Sequence, residues 1–303
     1  MLSNKSNYSS KKVAIIGPTG MLGSGVYSVL KDKYKLVLIY RNEDKIKLLD
    51  DKYGGVNRHK LIQFDFYDLY KEFLAGFYNE HQSPILKSLV EKIGEIDAII
   101  NCAGVIKPLV SKDPAFAMFL NASVPHLLAN IYGPRLIHIT TDCIFSGIEG
   151  APYNELSPRS PQDLYGISKM LGEPVDCLTL RTSIVGEEIS SFKSLLEWTK
   201  RQEGKTIHGY VNHLWNGVTT KEFGNICTKI IDNRSIYPEN GIYHIFSNVV
   251  SKYEMLLAFK EKYNINCKII LDETTKCNHA LSTAYDVNQK LSVPSFTEML
   301  KNL

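Results

Sequence analysis

Five times in its first half the sequence sets a short apolar run ahead of a longer polar stretch with helical spacing: "KVAIIG", "KLVLIY", "KLIQFD", "DAIINCAG" and "RLIHITT". Brief runs rich in Val, Ile and Leu suit strands. The connections between them are long, which is what parallel neighbours need, since a hairpin can join only antiparallel ones. Such a rhythm calls for an α/β fold, a parallel sheet with crossover helices on its faces. A sixth run, "CLTLRTSIVG", extends the series. Between Leu69 and Lys92 the helical spacing is broken at Pro84, which predicts two helices, because proline is not tolerated inside one.

After Gly186 the grammar changes. Helical text from Ser191 to Gln202, the irregular "GKTIHGYVNHLWNGVTT", a helix from Lys221 to Ile231 and a strand "GIYHIF" predict a smaller mixed cap, with the chain returning to the main sheet over about 219–247. Lys and Arg total 35 against 32 Asp and Glu, a net charge of +3. The basic residues are scattered, so no electrostatic footprint marks a nucleic-acid or membrane partner. The six cysteines stand far apart with no C-x-x-C and no paired His spacing, which argues against zinc, or any metal, and against a disulfide framework. Reduced thiols, a polar start "MLSNKSNYSS" and no apolar run of membrane length lead us to expect a cytoplasmic protein.

"VAIIGPTGMLGSG" puts Gly17, Gly20 and Gly23 directly after the first strand and at the opening of the first helix. A strand-to-helix turn of this kind lets backbone approach a pyrophosphate, and the helix N-terminus offers free N–H groups to it. The spacing is G-x-x-G-x-x-G, unlike the G-x-G-x-x-G of ordinary dinucleotide folds. At the end of the second strand, where NAD sites place an acid on the ribose hydroxyls, the text is "IYRNEDK". Arg41 stands there and can meet a 2′-phosphate, so NADPH is the expected cofactor, with NADH as the alternative. Asp65, ending the third strand, is placed to accept from an adenine amino group or to cap a helix.

Tyrosine four residues ahead of lysine occurs four times, as Tyr8/Lys12, Tyr27/Lys31, Tyr67/Lys71 and Tyr165/Lys169, so spacing alone decides nothing. Tyr8 sits in the leading tail, Tyr27/Lys31 reads as a helix surface pair, and Tyr67/Lys71 faces no expected cleft. Tyr165 and Lys169 differ by position: they follow the strand-end Thr141 by 24 residues and precede the sixth strand. Ligands of open parallel sheets sit at the carboxyl ends of strands. A lysine one helical turn from a phenol shares its face and can lower the phenol's pKa from near 10, tuning it to donate a proton.

"GPTGMLG", "TTDCIFSG", "YNELSPRSPQDLYGISKMLGE" and "LRTSIVG" together resemble the extended short-chain dehydrogenase/reductases, and within them the dTDP-4-dehydrorhamnose reductase family of nucleotide-sugar ketoreductases. The resemblance implies a Rossmann-type doubly wound parallel sheet over residues 11–186 binding NAD(P), with a mixed substrate-binding cap mainly in 187–303. It implies Thr141 at the ketone oxygen, Tyr165 as proton donor and Lys169 on the ribose. Gly17, Thr19, Gly20, Met21, Leu22 and Gly23 match the pyrophosphate turn, Ala103 and Gly104 of "NCAG" the loop over the cofactor, and Thr140 and Arg181 are expected beside it. Val105, Asp142, Cys143, Asn212, Trp215 and Asn216 are the expected substrate contacts, with His213 among the cap groups able to reach a sugar or base. Asn121 matches an asparagine these enzymes keep near the active centre.

The implied reaction is NADPH-dependent reduction of the 4-keto group of a dTDP- or UDP-linked 4-keto-6-deoxy sugar. "GYVNHLWNGVTT" leans towards UDP-linked 6-deoxy-hexosamines. The same resemblance extends to the regulatory β subunit of methionine adenosyltransferase, which serves by binding a partner, and to nucleotide-sugar epimerases holding NAD; Arg41 argues against the latter. The expected assembly is a monomer or homodimer.

Overall fold

The computed structural model describes residues 9–76 and 83–303; Tyr8, of the first Tyr/Lys pair, lies outside them. Seven strands form one sheet: β1 (Lys12–Ile16), β2 (Lys35–Tyr40), β3 (Lys60–Gln63), β4 (Ala98–Asn101), β5 (Leu136–Thr141), β6 (Leu178–Thr182) and β7 (Gly241–His244). Their order is β7-β6-β5-β4-β1-β2-β3, with every pair parallel. The order reverses between β1 and β4, and a crevice opens there at the carboxyl ends of the strands.

Both faces of the sheet are covered, which is why its strands read as continuous apolar runs instead of alternating ones. Val13 and Ile15 point into one core with Tyr27, Leu38, Phe223 and Ile226; Ala14 and Ile16 point into the other with Ile39, Phe66, Leu89 and Leu128. On the first face the helix Met21–Leu30 packs against the helix Thr220–Asp232, so closely that a Cβ at Gly25 would meet the Thr220 side chain at 2.5 Å. Within the helix Met21–Leu30, Tyr27 is completely buried, its ring edge-on to Tyr53 and His59 and its hydroxyl donating to the Gly54 carbonyl at 2.8 Å. The expected surface pair Tyr27/Lys31 is therefore a core residue followed by a lysine paired with Asp32. Tyr67 is exposed with the Lys71 ammonium over its ring.

The broken segment forms the helices Phe66–Leu74 and Pro84–Ile93, with Pro84 in the first turn and Ser83 capping it through Leu86 N–H at 3.0 Å. The stretch 204–220, expected to be irregular, instead contains three short strands, Thr206–Tyr210, His213–Trp215 and Val218–Thr219. Each finds a partner far along the chain, at Lys268–Asp272, at Val250–Ser251 and Cys277–Asn278, and at Ile184–Val185 respectively. Partners that distant leave no local turn signal. Among the described residues no helix is long and apolar enough to cross a membrane.

Candidate active site

A cleft of about 620 Å³ runs along the carboxyl ends of the strands. One end is built by the turn after β1. Gly17 sits at φ +75°, a region open to glycine, and a Cβ on Gly23 would lie 2.0 Å from the Gly17 oxygen. Gly23 thus serves by letting helix and turn close on each other; it does not line the cleft, whereas Gly17, Thr19, Gly20, Met21 and Leu22 do. No side chain caps the N-terminus of Met21–Leu30 at Gly20. Its first-turn N–H groups are left to an anion, so this cradle fits a pyrophosphate.

Beyond the turn, Arg41 and Lys45 line the cleft with Asn42, which caps the helix Glu43–Tyr53 by accepting from Lys45 N–H at 3.0 Å. Among the described residues neither the Arg41 guanidinium nor the Lys45 ammonium has a carboxylate partner. Asp65 lines the same wall and caps Phe66–Leu74 through Tyr67 N–H at 3.0 Å, so both expected roles are open to its two oxygens. Phe64, Phe66 and Phe116 add apolar surface to this wall, Phe64 and Phe66 packed edge to face at 5.0 Å.

The other end holds Thr141, Tyr165 and Lys169, all lining the cleft. The Thr141 hydroxyl donates to Asp142 Oδ1 at 3.0 Å and accepts from Cys143 N–H at 3.2 Å. The helix Leu164–Leu171, capped by Asp163 through Gly166 N–H, comes in tight, because a Cβ at Gly166 would meet the Cys143 oxygen at 2.4 Å. Lys169 is buried and donates to the Ile139 carbonyl at 2.9 Å. Burial pushes its pKa down to about 8, opposed by Glu173 and Cys102. Burial pushes the Tyr165 phenol up, helped by the Cys143 thiol and opposed by a hydrogen bond from Thr141. The expected net lowering of the phenol does not occur in this state, because desolvation of the phenolate outweighs what opposes it. Burial also pushes the Cys143 thiol up to about 12, which keeps it protonated and no nucleophile.

Between the two ends passes the loop at Ala103, Gly104 and Val105. Asn121 pins it: Oδ1 accepts from Val105 N–H at 2.8 Å, while Nδ2 donates to the Val105 carbonyl at 2.9 Å and to Ser168 Oγ at 3.0 Å. Asn121 lies in a π-helical turn, Phe119–Ser123, a distortion often kept at functional sites. One side chain therefore ties the loop to the helix that carries Tyr165.

Four expected contacts fall elsewhere. Arg181, only 3% exposed, is locked to Glu173 by two 2.8 Å bonds and to His244 at 3.3 Å, and does not reach the cleft. Asn216 is buried with both ends of its amide on the Leu281 backbone, each at 2.8 Å. Trp215 packs on Phe296, and Asn212 donates to the Glu273 carbonyl. Thr140, Val105, Asp142 and Cys143 do line the cleft. Sequence reasoning missed its far wall, Glu188 to Ser194, where Glu188 Oε1 accepts from Lys193 and Ser194 N–H, and Ser191 and Phe192 adopt left-handed φ of 78° and 49°. Neither residue type signals such a turn.

A glycine turn and a Thr/Tyr/Lys set sharing one cleft of a doubly wound sheet is the arrangement of the extended short-chain dehydrogenase/reductases. The chain is an NAD(P)-dependent oxidoreductase of that class. Within it, the chain belongs to the RmlD substrate binding domain family, which matches residues 11–280. Methionine adenosyltransferase 2 subunit beta of Xenopus tropicalis is 26% identical over 273 residues, 84% of this chain and 73% of that protein. The dTDP-4-dehydrorhamnose reductase of Shigella flexneri is 27% identical over 227 residues, 67% of this chain and 73% of the enzyme. The crystal structure of the Bacillus anthracis dTDP-4-dehydrorhamnose reductase in complex with NADP superposes with a TM-score of 0.66 at 19% identity, over 97% of this chain and 98% of that one. At that identity the likeness speaks for the fold.

Proposed function

We propose that this protein reduces the 4-keto group of a nucleotide-linked 4-keto-6-deoxy sugar with NADPH. The observation that carries this reading is the joining, in one cleft, of Thr141, Tyr165 and Lys169 at one end with the glycine turn and two carboxylate-free cations, Arg41 and Lys45, at the other. In this reading the sheet and the helices on it hold the dinucleotide, and the segments after Gly186 cap the sugar nucleotide.

NADPH, when bound, supplies the hydride. The chain's own residues do the rest. Thr141 turns its hydroxyl hydrogen from Asp142 to the ketone oxygen, stabilising the negative charge that grows there. Tyr165 gives that oxygen its proton, and a raised pKa suits this direction, since the phenol starts protonated at neutral pH. Lys169 then stands one helical turn away to offset the phenolate charge. Asn121 keeps the Ala103–Val105 loop and the Tyr165 helix in register, so the ketone meets donor and proton together.

Identity does not choose between an enzyme and a partner-binding subunit, at 27% to the reductase and 26% to the adenosyltransferase subunit. The complete Thr/Tyr/Lys set in an open cleft favours the enzyme. Arg41 where NAD enzymes carry an acid favours NADPH, and with it reduction over epimerisation. The test follows oxidation of NADPH and NADH with freshly generated dTDP- and UDP-linked 4-keto-6-deoxy sugars, with the product examined at C4. Turnover with a new C4 hydroxyl supports the reading. Tight cofactor binding without turnover on any of them overturns it.

A further inference from the structure

The geometry points to a divalent transition-metal site, best suited to Zn²⁺, formed by His213, Cys277 and His279 in the cap. Their donor atoms lie within 4.8 Å of one another. The topology builds this cluster. His213 and Cys277 are direct partners in a parallel pair of short strands, and His279 follows Cys277 by two residues, which returns its side chain to the same face. No ligand motif is visible in sequence because 64 residues separate the two halves.

Distances and outer bonds agree with coordination. Cys277 Sγ lies 3.4 Å from His279 Nδ1. A tetrahedral zinc with Zn–S about 2.3 Å and Zn–N about 2.05 Å would set these atoms about 3.6 Å apart. His279 Nε2 faces the Phe145 carbonyl at 3.3 Å, and donating there leaves Nδ1 as the lone-pair nitrogen aimed at the cluster. The His213 ring makes no hydrogen bond among the described residues, so its nitrogens are available. Gly147, at φ +72°, leaves room for the group: a Cβ there would lie 2.6 Å from His279 Nε2 and 2.9 Å from Cys277 Sγ.

Three protein ligands leave a fourth position for water. The three ligands and Gly147 stand outside the cleft lining; Gly147 follows Asp142, which does line it, by five residues. Binding sends the Cys277 thiol proton to solvent and changes no oxidation state. The metal would clasp the strands His213–Trp215 and Cys277–Asn278 to each other whichever sugar is reduced.

Full-length protein stripped with a chelator and titrated with Co²⁺ tests the site. One equivalent should give a thiolate-to-cobalt charge-transfer band and intense tetrahedral d–d bands, both erased by one equivalent of Zn²⁺. Cys277→Ser should abolish the charge-transfer band, and His213→Gln or His279→Gln should weaken zinc by at least about 100-fold, the upper end of what outer-shell losses cost. Cys143→Ser should leave the spectra unchanged. Each variant is checked for native circular dichroism, and the wild-type titration stands by itself if a variant unfolds. Absence of the band in the wild type overturns the proposal, as does a band that survives Cys277→Ser or disappears in Cys143→Ser.

Discussion

The Lys169 ammonium donates to the carbonyl oxygen of Ile139 at 2.9 Å, which anchors the cation on the strand that ends in Thr141. Burial lowers its pKa from 10.5 to about 8. The sign follows directly: below about 8 the folded protein carries the charge, and between about 8 and 10.5 the unfolded chain holds a proton that the folded one has lost. The penalty this buried cation imposes on folding therefore fades as pH rises through that window. Binding of an anionic dinucleotide that uses the cation should weaken over the same rise. Titrating NADPH one unit either side of pH 8 in wild type and in Lys169→Met is expected to show a pH step only in the wild type.

Tyr165→Phe removes the acidic proton and, among the described residues, little else than a hydrogen bond with Thr141. Single-turnover reduction should slow by about 10²- to 10⁴-fold. NADPH affinity should stay within about twofold, as expected for an interaction made at the chemical step. An unchanged single-turnover rate would remove Tyr165 from the proton path.

Arg41 and Lys45 should select the cofactor through charge-assisted bonds to a 2′-phosphate. Replacing either with Ala should weaken NADPH by about 10- to 100-fold, using about 1.5–3 kcal/mol for such a bond. NADH, which lacks that phosphate, should bind as before. Equal losses for the two dinucleotides, read by calorimetry, would place these cations on the shared pyrophosphate instead.

Glu173 and Arg181 form a desolvated pair, 1% and 3% exposed at the side chain. Glu173→Gln leaves the guanidinium buried without its counter-charge and should cost about 3–5 kcal/mol in urea unfolding. Because Glu173 also holds the Lys169 pKa up, NADPH affinity of the folded variant should begin to fall at a lower pH than in the wild type. A large affinity loss in Arg181→Lys at wild-type stability would restore the cofactor role expected from sequence.

What the sequence made legible is what neighbours in the chain decide. The glycine turn, the two helices around Pro84 and the i, i+4 pair Tyr165/Lys169 are local, and each stands where its text put it. Asn216 was misread because its partner Leu281 lies 65 residues away, and Arg181 because only the folded chain turns it onto Glu173, eight residues earlier, and His244, 63 residues later. Tyr27 was misread for the same reason, since the residues its ring and hydroxyl meet, Tyr53, Gly54 and His59, lie well beyond its own helix. The far wall at Glu188–Ser194 depends on backbone angles that serine and phenylalanine do not advertise.

The strand Gly241–His244 closes the sheet beside β6, and the helix Thr220–Asp232 backs the helix that opens with the glycine turn. A ribosome making this chain delivers the phosphate cradle first and its support some 200 residues later. During that interval β6 has a bare edge and the Met21–Leu30 helix an uncovered apolar face, the kind of nascent species that associates wrongly. Nascent chains released before about residue 245 should thus need a chaperone's shelter, although they already contain Thr141, Tyr165 and Lys169.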